Sequence, residues 1–152
     1  MKNETELKRA LNEAVNAALQ AGDLIIEWSR QAAYEVRQKQ GAELVTTADL
    51  RSDEIIREHL GSKFPQHRFF SEEVVAEENF DFSGPVWIID PIDGTANYTH
   101  GHPYVSISVA LTMDGDPCVG SGARAIFARN LCRYSGRRCD LQWVLTSGER
   151  GL

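Results

Sequence analysis

Val86-Trp87-Ile88-Ile89-Asp90-Pro91-Ile92-Asp93-Gly94-Thr95-Ala96-Asn97-Tyr98-Thr99 is the stretch that decides the fold. Its first four residues form an apolar, β-prone run that reads as a buried strand. Pro91 fixes its own φ and has no N–H, so the spacing predicts that the strand stops there and the chain turns. Asp90 and Asp93 flank that turn, and with the Ile92 carbonyl they offer hard oxygen donors at a strand end. Such donors suit Mg²⁺, which takes one or two carboxylates and keeps waters for a phosphate. Gly94 permits close backbone approach, and Thr95 is placed to open a short helix whose N–H groups favour an anion. A bare Asp-x-x-Asp-Gly is equally an ordinary turn, because these residues are common in turns.

The full string W-I-I-D-P-I-D-G-T-A-N-Y-T closely resembles the first signature of the inositol monophosphatase family, Mg²⁺-dependent and lithium-sensitive phosphomonoesterases. The resemblance implies an α+β fold, the layered α/β sandwich of the inositol monophosphatase and fructose bisphosphatase type, truncated here after the first sheet region. It implies metal ligation by Glu72, Asp90, the Ile92 carbonyl and Asp93. It implies catalytic roles for Glu72, Thr95 and Asp49, and substrate contacts from Asp93, Gly94 and Thr95. Mg²⁺ is the implied cofactor.

Upstream of this stretch, Ser71-Glu72-Glu73 stands where the family usually has Gly-Glu-Glu, so Ser71 departs from the pattern. Alone, two glutamates after the short strand His67-Arg68-Phe69-Phe70 read as solvated, as do Glu77 and Glu78. Thr46 or Thr47 is a fitting N-cap for a helix carrying Leu50, Ile55, Ile56 and Leu60. Asp49 would sit in its first turn, facing the positive end of the dipole. Capping is therefore what the residues alone assign to Asp49. Val45-Thr46-Thr47-Ala48-Asp49 also resembles the family's second signature, V-T-x-x-D, whose aspartate helps organise metal and water. Gly61 is expected to end that helix and Pro65 to prevent its resumption. Residues 4 to about 38 carry Leu7, Ala10, Leu11, Ala14, Val15, Ala18, Leu24, Ile25 and Trp28 near the 3.6 period and read as one helix. The polar loop at Lys39-Gln40-Gly41 follows, where the family carries a lysine near the metal.

Downstream, Asn97-Tyr98 resembles the Asn-aromatic pair that inositol monophosphatases show there, which tilts the substrate towards a sugar or polyol phosphate. Histidinol phosphate and 3′-phosphoadenosine nucleotides are the alternatives. His100 and His102 flank Gly101 and read as a polar turn rather than a metal pair. Val105, Ile107, Val109 and Leu111 alternate with smaller or polar residues in a period-two strand, closed by a hairpin turn at Asp114-Gly115.

A change of composition follows. Residues 1–120 hold 10 Lys and Arg against 20 Asp and Glu, whereas residues 121–152 hold 6 Arg against Asp140 and Glu149. Cys118, Cys132 and Cys139 all fall late, without a C-x-x-C pair or a later histidine, so a zinc site is not expected. The expected domains are therefore 1–117, the N-terminal part of an inositol monophosphatase-like domain, and 118–152, an atypical basic tail that is frameshifted or poorly ordered. Back-translated from Arg124 and read one base later, this tail permits a continuation ending in G-A-x-x-N-G, as in the family. Trp143 followed by Val144 has little freedom in that frame and must give glycine. A frameshift near position 118 is the expectation, and the coding sequence from Asp114 onward tests it.

Hydrophobic content of 42% and charged content of 25% fit a soluble globular chain, and a formal net charge of −6 disfavours a nucleic-acid surface. No apolar run spans a membrane and no secretory signal opens the sequence, so the expected location is cytoplasmic. The expected partner is a small phosphorylated substrate, with no nucleic acid and no membrane, and the family resemblance allows a homodimer. The function implied is Mg²⁺-dependent hydrolysis of a small polyol phosphate such as inositol monophosphate. The family's further aspartate lies in a W-D-x-A-A motif that Trp143-Val144 does not match. The alternatives are therefore an inactive truncated product and an interaction module using the basic tail.

Overall fold

The computed structural model describes residues 4–38, 44–73, 79–124, 129–134 and 142–147. Two helices, α1 (Glu4–Gln31) and α2 (Thr47–Lys63), pack on one face of a six-stranded sheet. The strands are β3 (Arg68–Ser71), β4 (Pro85–Asp93), β5 (Ser106–Met113), β6 (Asp116–Arg124), β7 (Arg129–Tyr134) and β8 (Gln142–Ser147), in that spatial order. Among the described residues only β3 and β4 run parallel, and the other neighbouring pairs of this sheet are antiparallel. A separate hairpin pairs β1 (Val36–Gln38) with β2 (Leu44–Thr46), and the short helix α3 (Thr95–Thr99) follows β4. The α+β class and the layered arrangement agree with the sequence. Among the described residues no helix is long and apolar enough to cross a membrane.

The core lies between the helices and the sheet. Ala10, Ala14, Ala17, Ala18 and Ala21 form a small-residue face on α1 that lets it sit close to Ile107, Val109 and Leu111 of β5. Ile56 and Leu60 of α2 pack towards Trp87 and Ile89 of β4. Burying each of these larger side chains contributes roughly 1.5–3 kcal/mol, so this face orders both the helices and the strand that carries the central motif. Tyr98 reaches back from α3 and donates its hydroxyl to the Ile25 carbonyl at 2.8 Å, fastening the site end to α1. Burial, followed by the neighbouring Tyr34 and Asp49, pushes its phenol pKa up, so it stays a donor.

Several boundaries depart from the sequence reading. The first helix ends at Gln31 rather than near 38. Ala32 turns to φ 48°, Ala33 N–H closes on the Trp28 carbonyl, and Val36 to Gln38 then pair with β2. Pairing with β2 prevails there over helix periodicity, and Val36 is β-branched. α2 continues through Gly61 to Lys63, stopping where Phe64 N–H caps Leu60 and Pro65 forbids another turn. Leu50, read as part of its apolar pattern, is exposed. β4 does not stop at Pro91; it resumes at Asp93 opposite Ser106 after a bulge that absorbs Pro91 and Ile92. A bulge leaves one residue outside the ladder, which is where a proline without an N–H is tolerated.

The boundary expected at 117/118 falls inside β6, which pairs with β5 as far as Arg124. The run Gly120-Ser121-Gly122-Ala123 has too few large side chains to show period two, but its backbone completes the ladder. Asp114 at φ 53° and Gly115 at φ 81° form the β5–β6 turn as the Asp-Gly dipeptide predicts. Lys39, Gln40 and Gly41, together with Glu77 and Glu78, lie outside the described residues.

Candidate functional site

The C-terminal ends of β3 and β4, the start of α2 and the start of α3 meet at one end of the sheet. Asp49 is fully buried there and is the hub of its hydrogen bonds. Its Oδ2 accepts from Thr46 N–H at 2.7 Å and from the Thr46 hydroxyl at 2.6 Å, while Thr46 Oγ1 in turn accepts from the N–H groups of Ala48 and Asp49. This reciprocal capping box is what Thr46 followed three residues later by an acid allows. Its Oδ1 lies 2.9 Å from Thr95 Oγ1, whose single hydroxyl proton sits between Asp49 and the Ile92 carbonyl at 3.1 Å. Asp49 thus serves as cap and as the anchor of Thr95 at once.

Sequence reasoning missed Ser52, which donates to the Pro91 carbonyl at 2.8 Å and ties α2 to the bulge. Its position three residues after Asp49, on the same helix face, was the available signal. Ser106 was missed too. It donates to Asp93 Oδ2 at 3.0 Å across the strand pair. Glu72 stands in the turn after β3, with its N–H on the Ile89 carbonyl at 3.2 Å, and Glu73 N–H meets Ser71 Oγ at 3.3 Å.

Gly94 joins bulge to helix with φ 92°, a left-handed conformation that a side chain resists. A Cβ at this position would stand 2.8 Å from the Tyr104 carbonyl, so space as well as torsion demands glycine. Asn97 donates to that same carbonyl at 3.0 Å and holds the following segment against α3.

Asp90 is half-buried, and its Oδ1 has no hydrogen-bond partner. Burial raises its pKa to about 6, reinforced in turn by the charges of Glu72, Asp93, Asp49 and Glu73. These carboxylates are close enough to oppose one another's ionisation. Among the described residues, however, no three His, Cys, Asp or Glu side chains close into a ready cage for an ion. Uncompensated carboxylates repel, and a cation would supply the charge that draws them together. An orphaned oxygen, an all-oxygen donor set and this repulsion together fit a hard divalent cation.

The titration of Asp90 has a defined sign. Its folded pKa lies above the unfolded value of 3.8, so the fold holds the extra proton between about pH 4 and 6. The favourable contribution is complete below the unfolded pKa and is lost as pH rises through about 6. In chelator-treated protein, Asp90→Asn should therefore gain about 1–2 kcal/mol at pH 7.5, allowing for solvent screening, and nothing near pH 4. Urea denaturation at the two pH values measures this. An equal effect at both would show that Asp90 is not held against its charge.

The model of the inositol monophosphatase family matches residues 6–143. Inositol monophosphatase 3 of Solanum lycopersicum is 38% identical over 122 residues, covering 79% of this chain and 45% of that protein. Inositol monophosphatase 1 of Sus scrofa is 34% identical over 109 residues, covering 70% and 39%. Among solved structures, an inositol monophosphatase of Thermotoga maritima superposes with a TM-score of 0.76 at 30% identity, covering 93% of this chain and 52% of that one. The extragenic suppressor protein suhB of Bartonella henselae gives 0.77 at 27%, covering 89% and 52%. The chain therefore spans about half the length of the relatives it matches.

Proposed function

The chain belongs to the inositol monophosphatase family, and from that premise we propose that it carries the cation- and phosphate-binding part of a Mg²⁺-dependent phosphomonoesterase site. The observation that supports this reading best is Asp90, a half-buried carboxyl with an unpartnered oxygen among neighbouring acids. Glu72, Asp90, the Ile92 carbonyl and Asp93 are the proposed ligands. Mg²⁺ bound there would neutralise charge on the phosphoryl oxygens and acidify water.

The chain's own residues divide the remaining work. Thr95, held by buried Asp49, orients a water together with Glu72, which takes its proton. Asp93, Gly94 and Thr95 face the substrate, and the Gly94 and Thr95 N–H groups hold the phosphate. Attack of water on phosphorus breaks the phosphorus–oxygen ester bond and releases inorganic phosphate and an alcohol, without a covalent enzyme intermediate. Asn97-Tyr98 favours inositol monophosphate or a similar polyol phosphate as the ester, encountered in the cytoplasm, and a homodimer is the assembly the family suggests.

Trp143-Val144 does not provide the aspartate that the resemblance assigns to a W-D-x-A-A motif. Binding without efficient turnover is therefore the expected behaviour of the 152-residue chain. Calorimetric titration of the full chain with inositol monophosphate, with and without Mg²⁺, tests this alongside a phosphate-release assay. Mg²⁺-dependent binding with little release is expected. Binding that ignores Mg²⁺, or no binding, would reject the site; rapid lithium-sensitive release would reject the incomplete-site reading.

The out-of-frame origin of residues 118–152 is a separate proposal, supported by the shift in charge and cysteine content. A neighbouring frame that stays open well beyond the codon for Leu152 is the expected finding, and early closure would reject it.

A further inference from the structure

We propose that Ser52 is a positioning residue for the carboxylate end of the sheet, a role that presupposes the cation site proposed above. Its hydroxyl fixes the peptide before Ile92, sets where the Ile92 carbonyl stands, and so favours Mg²⁺ over the larger Ca²⁺. Ser52 is fully buried on α2 and donates to the Pro91 carbonyl at 2.8 Å. Pro91 is fully buried as well. The register of β4 with β5 passes from Asp90 opposite Ser108 to Asp93 opposite Ser106, so Pro91 and Ile92 fall outside it. A buried carbonyl in a bulge needs a partner from elsewhere, and α2 supplies this one.

The Pro91 carbonyl and the Ile92 N–H belong to one planar peptide unit. Holding the carbonyl therefore holds the plane, and only the two torsions at Ile92 separate that plane from the Ile92 carbonyl. The Ile92 side chain is buried in the core, which keeps its Cα in place. Thr95 Oγ1 also lies near the Ile92 carbonyl, at 3.1 Å, but it has one proton and stands 2.9 Å from Asp49 Oδ1. A carboxylate is the stronger acceptor, so the proton leans to Asp49 and the Ile92 carbonyl keeps its lone pairs for a cation. Ser52 is thus the direct tie from α2 to the bulge. Asp49, three residues earlier on the same helix face, is the indirect one.

The two ions differ in what they tolerate. Mg²⁺ demands near-octahedral coordination at about 2.0–2.1 Å, whereas Ca²⁺ accepts more oxygens at about 2.3–2.6 Å in looser arrangements. A carbonyl whose preceding peptide is held by a buried hydroxyl suits the stricter ion. Without that hydroxyl the buried Pro91 carbonyl loses its donor, the peptide turns to find another, and the Ile92 carbonyl moves with it. Ser52 and Pro91 are both closed off from solvent, so water does not stand in for the hydroxyl.

Amide NMR of the full chain, titrated with Mg²⁺ and separately with Ca²⁺, tests this in wild type, Ser52→Ala and Ile56→Val. Ile56 is also fully buried on α2 within the core, so trimming it controls for loosened packing. In the ion-free chain, Ser52→Ala should shift the amide resonances of Ile92 to Thr95 and Ile56→Val should not. Mg²⁺ affinity should fall about tenfold or more in Ser52→Ala, Ca²⁺ affinity should fall by less, and neither should change in Ile56→Val. Ser52→Cys places a weaker donor at the same position, should give an intermediate loss, and serves if the alanine chain fails to fold. Equal weakening of the two ions, or the same loss in Ile56→Val, would overturn the proposal. A wild type that binds neither ion would reject the cation site itself. The ion-free amides then decide the tie alone: movement at Ile92 to Thr95 upholds it, and unchanged resonances overturn it.

Discussion

Replacing Asp49 with alanine should lower the stability of the chain by about 3–5 kcal/mol. The side chain is fully buried and accepts from Thr46 N–H, the Thr46 hydroxyl and the Thr95 hydroxyl. Loss of an N-cap partnership alone costs about 0.5–2 kcal/mol. The rest comes from donors left without an acceptor in a place water does not reach, each worth about 1–3 kcal/mol. Asp49→Asn should lose less, since the amide oxygen retains one acceptor while its NH₂ faces donors. Urea denaturation gives the comparison, with an unchanged slope marking an effect on the folded state. A loss below about 1 kcal/mol for alanine would mean that Asp49 is not the hub of this end of the sheet.

Gly94→Ala should cost about 3 kcal/mol from two sources that act together. A side chain at φ 92° carries a torsional penalty of roughly 1–3 kcal/mol. The added Cβ would also press within 2.8 Å of the Tyr104 carbonyl, a backbone atom that Asn97 already holds in place. Relief requires moving either α3 or the segment entering β5. The substitution should therefore also disturb the N–H groups proposed to hold phosphate. Gly101→Ala is the control, because its φ of 70° is similar but nothing stands within 4 Å of the new Cβ. Its loss should be the torsional part alone, about 1–2 kcal/mol. Equal losses would show that the close contact at Tyr104 carries no weight.

How much of this was legible in the sequence differs from element to element. The strand Val86 to Ile89, the helix opened by Thr95 and the Asp-Gly hairpin were all readable, because apolar runs, helix starts and φ > 0 turns are written in adjacent residues. The length of α1 was not. Residues 32–38 are compatible with helix, and only pairing with a strand eight residues further on makes Val36 to Gln38 extended. Pro91 misled in a similar way, because a bulge can absorb a proline that a regular strand cannot.

At the site, Asp49, Asp90, Asp93, Gly94 and Thr95 were named from motifs, and the fold brings them to one end of the sheet. What the motifs could not give was the wiring. The link from Thr95 to Asp49 spans 46 positions, and that from Ser52 to Pro91 spans 39. Such pairs become neighbours only when α2 packs against β4.

The claim that this carboxylate end is a divalent-cation site is tested most directly by the unfolding temperature of the full chain in Mg²⁺. The comparison is against NaCl of equal ionic strength, in wild type and in Asp90→Asn. An ion that binds only the folded chain stabilises it by about 1.4 kcal/mol at ten times its dissociation constant, a rise of roughly 3–5 °C for a chain of this size. That rise should appear in the wild type and be absent from Asp90→Asn, which should already start higher at pH 7.5. Equal midpoints in Mg²⁺ and NaCl, or an Mg²⁺ effect that survives Asp90→Asn undiminished, would contradict a cation site built around Asp90.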